Sequence, residues 1–177
     1  MKTIWFLLCL ALLATPAFAA APQTLEAGFS WVAFEPGKMR LQKPDGWFVK
    51  AESDALFISR ENIDEAGSFK VGLSVNVLSD VRERTGLQSS EYAKRVLAGM
   101  VEGHTVLASD QSELTGGKFG LTLRVRADTP DPLIVHYLLI ADDRADRLSV
   151  FSFEAPVSEW VEAWKLGAVM LGRRIDE

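Results

Sequence analysis

Residues 133–140 constrain the fold of this chain more than any other stretch. They read LIVHYLLI, so every side chain except His136 is apolar or aromatic, and turn-forming residues flank the segment on both sides. Successive side chains of a strand point to opposite faces of a sheet. Both faces of this segment are therefore apolar, and both must be covered by other parts of the chain. We expect a buried central strand.

The elements around this strand predict an α+β fold. Residues 69–78 alternate between apolar and small or polar side chains, which is typical of a half-buried strand. Its apolar face carries Phe69, Val71, Leu73, Val75 and Val77. Further strands are expected at residues 29–35, 39–41, 47–50, 55–59, 105–114, 118–126 and 148–153.

Two helices are expected, at residues 89–102 and 157–175, because apolar side chains recur there at spacings of three and four. Segments 61–67 and 79–88 are expected to be polar loops. Strands that mostly follow one another along the chain favour an antiparallel sheet. The doubly apolar central strand requires helices on both faces of that sheet, so the predicted architecture is an α-β-α sandwich.

The first 19 residues have the pattern of a secretory signal peptide. Lys2 precedes an apolar run at residues 4–13, Pro16 ends the run, and Ala17-Phe18-Ala19 supplies a small-x-small cleavage site. The run is too short for a spanning helix, which needs about 20 residues. We expect cleavage after Ala19, a periplasmic or secreted protein without stable membrane insertion, a flexible tether at 20–28 and one domain at 29–177.

Composition argues against several classes of partner. The formal net charge is −5 at pH 7, whereas proteins that bind nucleic acids or anionic membrane surfaces carry dense clusters of Lys and Arg. We therefore expect no nucleic-acid partner. The single cysteine, Cys9, lies in the apolar run, so the mature chain is expected to fold without disulfides.

The two histidines do not form a catalytic or metal-binding motif. His136 lies on one face of the central strand between Ile134 and Leu138, where a buried core histidine and an acid/base or ligand in a pocket are both possible. We favour the core histidine. His104 follows Gly103 at the end of a predicted helix and is expected on the surface. Neither has the spacing of a zinc site.

Carboxylates occur in two groups, Asp128 with Asp131, and Asp142, Asp143 and Asp146. The groups flank opposite ends of the same strand, roughly 30 Å apart at about 3.3 Å per residue, so they cannot form one acid/base pair. The second group lacks the spacing of an EF-hand, and a hairpin turn is the favoured interpretation over a calcium site. We therefore expect no enzyme activity, no cofactor and no metal.

The order of several short motifs resembles one known superfamily. Pro44-Asp45-Gly46-Trp47 opens a strand, Leu114-Thr115-Gly116-Gly117 joins two strands, and LSVFSFEAP at residues 148–156 leads into the C-terminal helix. This order resembles the superfamily of the PsbP-type extrinsic photosystem proteins, the Ran-binding (Mog-type) nuclear import factor and exported bacterial proteins of the DcrB kind. The resemblance implies an α-β-α sandwich and a non-catalytic accessory or partner-binding role. It transfers no functional residue.

Two functions are therefore considered. The first is an exported adapter that binds another protein. The alternative is a periplasmic carrier of a small apolar ligand, with Trp47, Trp160 and Trp164 near a cavity. Core packing is the competing interpretation of the tryptophan pair one helical turn apart.

Four arginines are the candidate partner-binding residues. Arg124 and Arg126 are two positions apart in a predicted strand, so they share a face and are expected to be exposed. If loop 79–88 folds over that face, Arg82 and Arg84 join them and four guanidiniums form an anchor for a carboxylate-rich partner. The competing interpretation is a set of ordinary solvated charges.

Overall fold

The computed structural model describes residues 24–172. The predicted signal peptide, residues 20–23 of the predicted tether and the predicted helical residues 173–175 lie outside this range. Between residues 24 and 172, none of the helices combines the length and apolar character needed to cross a bilayer.

Residues 24–172 form nine strands and four helices. The strands are β1 (Phe29–Phe34), β2 (Met39–Pro44), β3 (Phe48–Ala51), β4 (Ala55–Ser59), β5 (Gly72–Ser79), β6 (Thr105–Leu114), β7 (Lys118–Ala127), β8 (Leu133–Asp142) and β9 (Arg147–Pro156). The helices are α1 (Ile63–Ala66), α2 (Val81–Thr85), α3 (Ser89–Val101) and α4 (Trp160–Met170).

Seven strands form one antiparallel sheet in the order β3-β4-β5-β9-β8-β7-β6, and β1 pairs with β2 in a separate hairpin. The middle position belongs to β9, with the predicted central strand β8 beside it. β8 is buried on both faces, as expected: Ile134 and His136 are at most 9% exposed on one face, and Val135 and Leu139 are at most 7% exposed on the other.

Helices cover both faces of the sheet, so the α+β fold class is confirmed. On one face, which we call the α4 face, Trp160, Ala163 and Met170 of α4 pack with Phe151 and Phe153 of β9. The β1–β2 hairpin covers part of the same face through Phe34 and Leu41. On the opposite face, which we call the α3 face, Ala93 of α3 packs with Leu121, Leu139 and Leu148.

The predicted strand at 69–78 begins later than expected. Val71, Leu73, Val75 and Val77 are at most 6% exposed, which confirms the alternation. Phe69 does not share their face, because β5 starts only at Gly72 and the Phe69 ring lies against Gly72. A Cβ built on Gly72 would be 2.8 Å from a Phe69 ring carbon. The phenyl ring therefore takes the space that a side chain at residue 72 would need on the α3 face.

Four predicted features differ from the structure for physical reasons: two loops and the two ends of the C-terminal helix. Segments 61–67 and 79–88 contain the single-turn helices α1 and α2, which are too short to show an apolar stripe. The C-terminal helix begins at Trp160 rather than at residue 157, because residues 157–159 form turns in which the amides of Glu159 and Trp160 donate to the carbonyls of Pro156 and Val157. It ends at Met170, and Gly172 has φ +68°, a conformation that stops helices.

Candidate functional site

A row of side chains crosses the α4 face from the core to the open end of the sheet. Direct cross-strand pairing places Leu73, Phe153, His136 and Arg124 side by side on β5, β9, β8 and β7. Leu73 and Phe153 are 0% exposed and His136 is 4% exposed, whereas Arg124 is half-buried. The next partner in the row, Ala108 of β6, is exposed. Arg124 therefore stands at the border between the core and open sheet.

Two tryptophans of α4 pack against Arg124 at this border. The indole rings of Trp160 and Trp164 stack with centroids 5.3 Å apart and planes 14° apart. The guanidinium carbon of Arg124 lies 4.6 Å from the Trp164 centroid and 5.2 Å from that of Trp160. Both distances are within the range of a cation–π contact, so the guanidinium is oriented by the helix above it.

His136 lies beneath the same helix. Its ring centroid is 4.5 Å from that of Trp164, and the side chain is buried. The core interpretation of His136 therefore agrees with its position beneath Trp164. His104 is exposed, as expected, with Nδ1 2.8 Å from the Glu102 carbonyl oxygen.

We define the Arg124 patch as Ala108, Asp110, Thr122, Arg124, Arg126 and Trp164. The first five lie on β6 and β7, and Arg124 is the one that the indoles of α4 partly cover. Ala108 pairs directly with Arg124, and Asp110 with Thr122. Arg126 forms an ion pair with Asp128 at 2.8 Å, and its side chain is 47% exposed. The patch combines an oriented guanidinium, a half-buried indole and an exposed ion pair.

The structure does not bring Arg82 and Arg84 to this patch. Both belong to α2, where Val81 is fully buried with Leu121 and Leu139 on the α3 face. Arg124 alternates with Leu123 and Val125, so its side chain lies on the α4 face. The expected cluster of four guanidiniums is therefore divided between the two faces. The expected exposure of Arg124 is also wrong, because two indoles cover part of it.

The acidic group at the β8–β9 turn anchors helices. Asp143 accepts hydrogen bonds from the Ser90 amide at 2.8 Å and the Ser90 hydroxyl at 2.7 Å. Asp146 accepts from the Arg82 amide at 3.0 Å. Asp142 accepts from the amides of Arg144 and Ala145, and the bond from Ala145 contributes most to lowering the pKa of its carboxyl. These carboxylates bind backbone groups at helix starts and in the turn, which supports the turn interpretation over a calcium site.

The pKa of the Glu154 carboxyl is shifted in the direction opposite to that of Asp142. Glu154 of β9 alternates with Phe153, so it lies on the α3 face, in a pocket whose lining includes Phe57, Ile63 and Phe69. Burial raises the pKa of Glu154 above its usual value. The sequence contained no signal for this, because Ile63 and Phe69 reach Glu154 only through tertiary folding.

The three tryptophans predicted to lie near a cavity pack against other side chains. Trp160 and Trp164 pack on Phe153, His136 and Arg124, and Trp47 packs against the core cluster on the α4 face. A cleft of about 250 Å³ instead lies between β2, the ends of β8 and β9, and the last turn of α4. Its lining contains none of the three tryptophans.

Comparison with known proteins identifies the fold. No family model matches the sequence, and no curated protein sequence matches it either. The solution structure of cyanobacterial PsbP (CyanoP) from Synechocystis sp. PCC 6803 is similar with a TM-score of 0.51 at 11% identity, covering 88% of this chain and 96% of that chain. The Saccharomyces cerevisiae Ran-binding protein Mog1p gives a TM-score of 0.49 at 14% identity, covering 82% and 93%.

The chain thus has the α+β fold of PsbP-type proteins, and the resemblance inferred from motif order is confirmed for the fold.

Proposed function

We propose that this chain is an exported, non-catalytic adapter that binds another protein through the Arg124 patch and the adjoining strand β6. The observation that carries the proposal is the position of Arg124, oriented over two stacked indoles at the border of open sheet. Arg and Trp are enriched among the residues that dominate protein–protein affinity.

Orientation of the guanidinium favours binding on energetic grounds. A side chain that is already ordered loses less rotamer entropy when a partner arrives. A guanidinium also has five N–H donors in a rigid fork whose geometry matches that of a carboxylate. The partner chemistry we propose at this patch is therefore acidic.

The edge strand β6 supplies the second half of the site. It is the last strand of the sheet and is exposed over nine of its ten residues, from Thr105 to Glu113. An edge strand presents backbone N–H and C=O groups that an extended segment can pair with. The register of β6 against β7 shifts between Val106 and Ala108, so that end of β6 is irregular. An extended segment could therefore pair regularly with β6 from Ala108 to Leu114. We propose an extended, carboxylate-bearing segment of a partner protein as the occupant.

The non-catalytic part of the proposal is supported by what the acid/base side chains contact. His136 is buried beneath Trp164, and Asp142, Asp143 and Asp146 accept hydrogen bonds from backbone amides. These side chains serve packing and capping, which does not require reactivity.

Site-specific photo-crosslinking tests the adapter function. A photoreactive amino acid at Ser112, on the open strand, is expected to give one discrete adduct in the producing cells, identified by mass spectrometry. The same residue at Glu65 in α1 is the control. Arg124→Gln should abolish the Ser112 adduct, whereas Arg84→Gln, which removes the same charge from α2, should leave it.

An adduct that persists in Arg124→Gln would contradict the role of the Arg124 patch. Equal adducts from Ser112 and Glu65, or none from Ser112, would contradict binding at β6.

Export is proposed from the pattern of residues 1–19 and is tested separately. The intact mass of protein recovered outside the cytoplasm should correspond to an N-terminus at Ala20, or one or two residues beyond. A mass that retains Met1 to Ala19 would mean an anchored protein.

Carriage of a small ligand is the second candidate function. The observation that favours it is the cleft beside β2, which has an apolar floor formed by Leu41, Leu138 and Phe151 among others. Native mass spectrometry of protein purified from its own cells tests this function, because a carrier is expected to retain a stoichiometric small molecule.

A further inference from the structure

The cleft beside β2 has a floor built from the main core. Leu41, Phe151 and Met170 line it and are at most 7% exposed, and the half-buried Leu138 and Ile140 complete the floor. All five belong to or pack against the core cluster on the α4 face. The floor is therefore an apolar surface that is continuous with the core.

The rim of the same cleft is cationic. Lys38, Arg40, Lys118 and Arg147 line it, and Asp142 is the one carboxylate among the described lining residues. The Arg40 guanidinium carbon lies 4.6 Å from the centroid of the Trp31 ring, on the face of the β1–β2 hairpin opposite Leu41. Within residues 24–172, neither Lys118 nor Arg147 forms an ion pair with a carboxylate, although both lie close enough to influence Asp142.

Asp142 does not neutralise this rim by itself. Its Oδ1 already accepts hydrogen bonds from the amides of Arg144 and Ala145, at 3.2 and 2.9 Å, in the β8–β9 turn. Four cationic side chains against one carboxylate leave an excess of positive charge at the mouth of an apolar cleft. This excess is local, because the whole chain carries a formal net charge of −5.

We infer that this cleft binds a small amphipathic anion, a molecule with a compact apolar body and one carboxylate. The body would lie on the floor formed by Leu138, Ile140 and Phe151, and the carboxylate would lie between Lys118 and Arg147. This inference rests on the carrier function, the second candidate above, and is independent of the adapter function.

The volume of the cleft limits the size of the ligand. An engineered apolar cavity of about 150 Å³ holds benzene, and pockets for drug-sized ligands begin at about 300 Å³. At about 250 Å³ the cleft suits a medium-chain or single-ring acid and is too small for a long lipid chain. Octanoate is a suitable probe, with octan-1-ol and octylamine as partners that share the same carbon chain.

Calorimetric titration of the purified protein with these three probes tests the inference. Octanoate is expected to bind at a single site, octan-1-ol at least tenfold more weakly, and octylamine without measurable affinity. Lys118→Gln with Arg147→Gln should weaken octanoate binding at least tenfold and leave octan-1-ol binding unchanged. Lys70→Gln with Arg84→Gln makes the same change in net charge away from the cleft and should leave both affinities unchanged.

Leu138→Trp provides a second line of evidence, because it fills the floor without altering the rim charges. It should abolish binding of octanoate and octan-1-ol together, while thermal unfolding reports whether the variant is folded. Equal affinity for octanoate and octan-1-ol would overturn the anionic class of ligand and leave a carrier of neutral molecules. Absence of binding by all three probes would overturn both the inference and the carrier function.

Discussion

Gly167 of α4 lies directly against the ring of Phe153 in β9. A Cβ built at Gly167 would be 2.8 Å from three of the ring carbons, and the ring is fully buried. The distance between helix and sheet is therefore set by the absence of a side chain at this one position. The tryptophans that hold Arg124 are on the same helix, so the Arg124 patch depends on this close approach.

Gly167→Ala is expected to destabilise the protein by about 1–3 kcal/mol, because overpacking of a dense core costs more than the helix propensity that alanine gains. Gly99→Ala in α3 is the matched control. Nothing lies within 4 Å of its added Cβ, so that change should stabilise by up to about 1 kcal/mol. Chemical denaturation measures both. A stable Gly167→Ala variant would mean that α4 can move away from β9 at little cost.

Leu139→Asp should prevent folding, because Leu139 is 0% exposed on the α3 face of β8. An unpaired buried charge costs several kcal/mol against a total stability of about 5–15 kcal/mol. Leu138→Asp, one residue away, should cost less, since Leu138 is half-buried and lines the cleft beside β2. Circular dichroism spectra and thermal unfolding of the two variants measure how far each one is folded. Equal damage by both would show that the two faces of β8 are equally closed.

Glu154→Gln should stabilise the protein at neutral and alkaline pH. Burial raises the folded-state pKa of Glu154, so its ionised form costs stability above that pKa. The cost disappears as the pH falls through the raised value to below the unfolded value, near about 4.3, where both states are protonated. The advantage of Glu154→Gln should therefore shrink with falling pH. Glu113→Gln on exposed β6 is the control, and denaturation midpoints between pH 4 and 8 provide the measurement.

Asp143 and Ser90 should be energetically coupled. Loss of the helix-start carboxylate in Asp143→Ala is expected to cost about 1–2 kcal/mol, because it leaves the Ser90 amide and hydroxyl without their acceptor. Ser90→Ala removes only the hydroxyl bond. A double-mutant cycle should give a coupling energy above about 0.5 kcal/mol. Additive effects would indicate that water replaces the carboxylate without loss.

Arg124 and Arg126 should differ in their effects on stability although they share a strand face. Arg124→Gln is expected to cost about 1–2 kcal/mol, because a partly desolvated cation–π contact is lost. Arg126→Gln should cost less than about 1 kcal/mol, since its ion pair with Asp128 is exposed. Thermal unfolding measures both changes. A larger loss in Arg126→Gln would contradict the assignment of Arg124 to the core border.

Sequence periodicity predicted those parts of the fold where one side-chain pattern dominates. Val71, Leu73, Val75 and Val77 are buried on one face, and β8 is covered on both. Periodicity could not predict α1 or α2, because one helical turn has no stripe. It also placed Phe69 on the wrong face. Phe69 precedes β5, and its ring fills the space that the missing side chain of Gly72 leaves.

The sequence predicted only those features of the candidate site that depend on local strand alternation. Strand alternation correctly placed Arg124 and Arg126 on one face. The position of α2 depends on Val81 entering the α3 face and on Asp146 accepting from the Arg82 amide, and both are long-range contacts. The cleft beside β2 combines residues from four segments that are distant in the sequence, so no local motif could predict it.

The pairing of β9 with both β5 and β8 governs the order in which the sheet can form. Strands β3 to β5 and strands β6 to β8 are two sets of three, and within the seven-stranded sheet they meet only through β9. A ribosome releases the chain from its N-terminus, so both sets exist before the strand that joins them. The finished sheet therefore requires pairing across more than 60 residues, from β5 to β9, late in synthesis. Such non-local pairing slows folding, and a chain cut before Arg147 would hold two half-sheets with no common core.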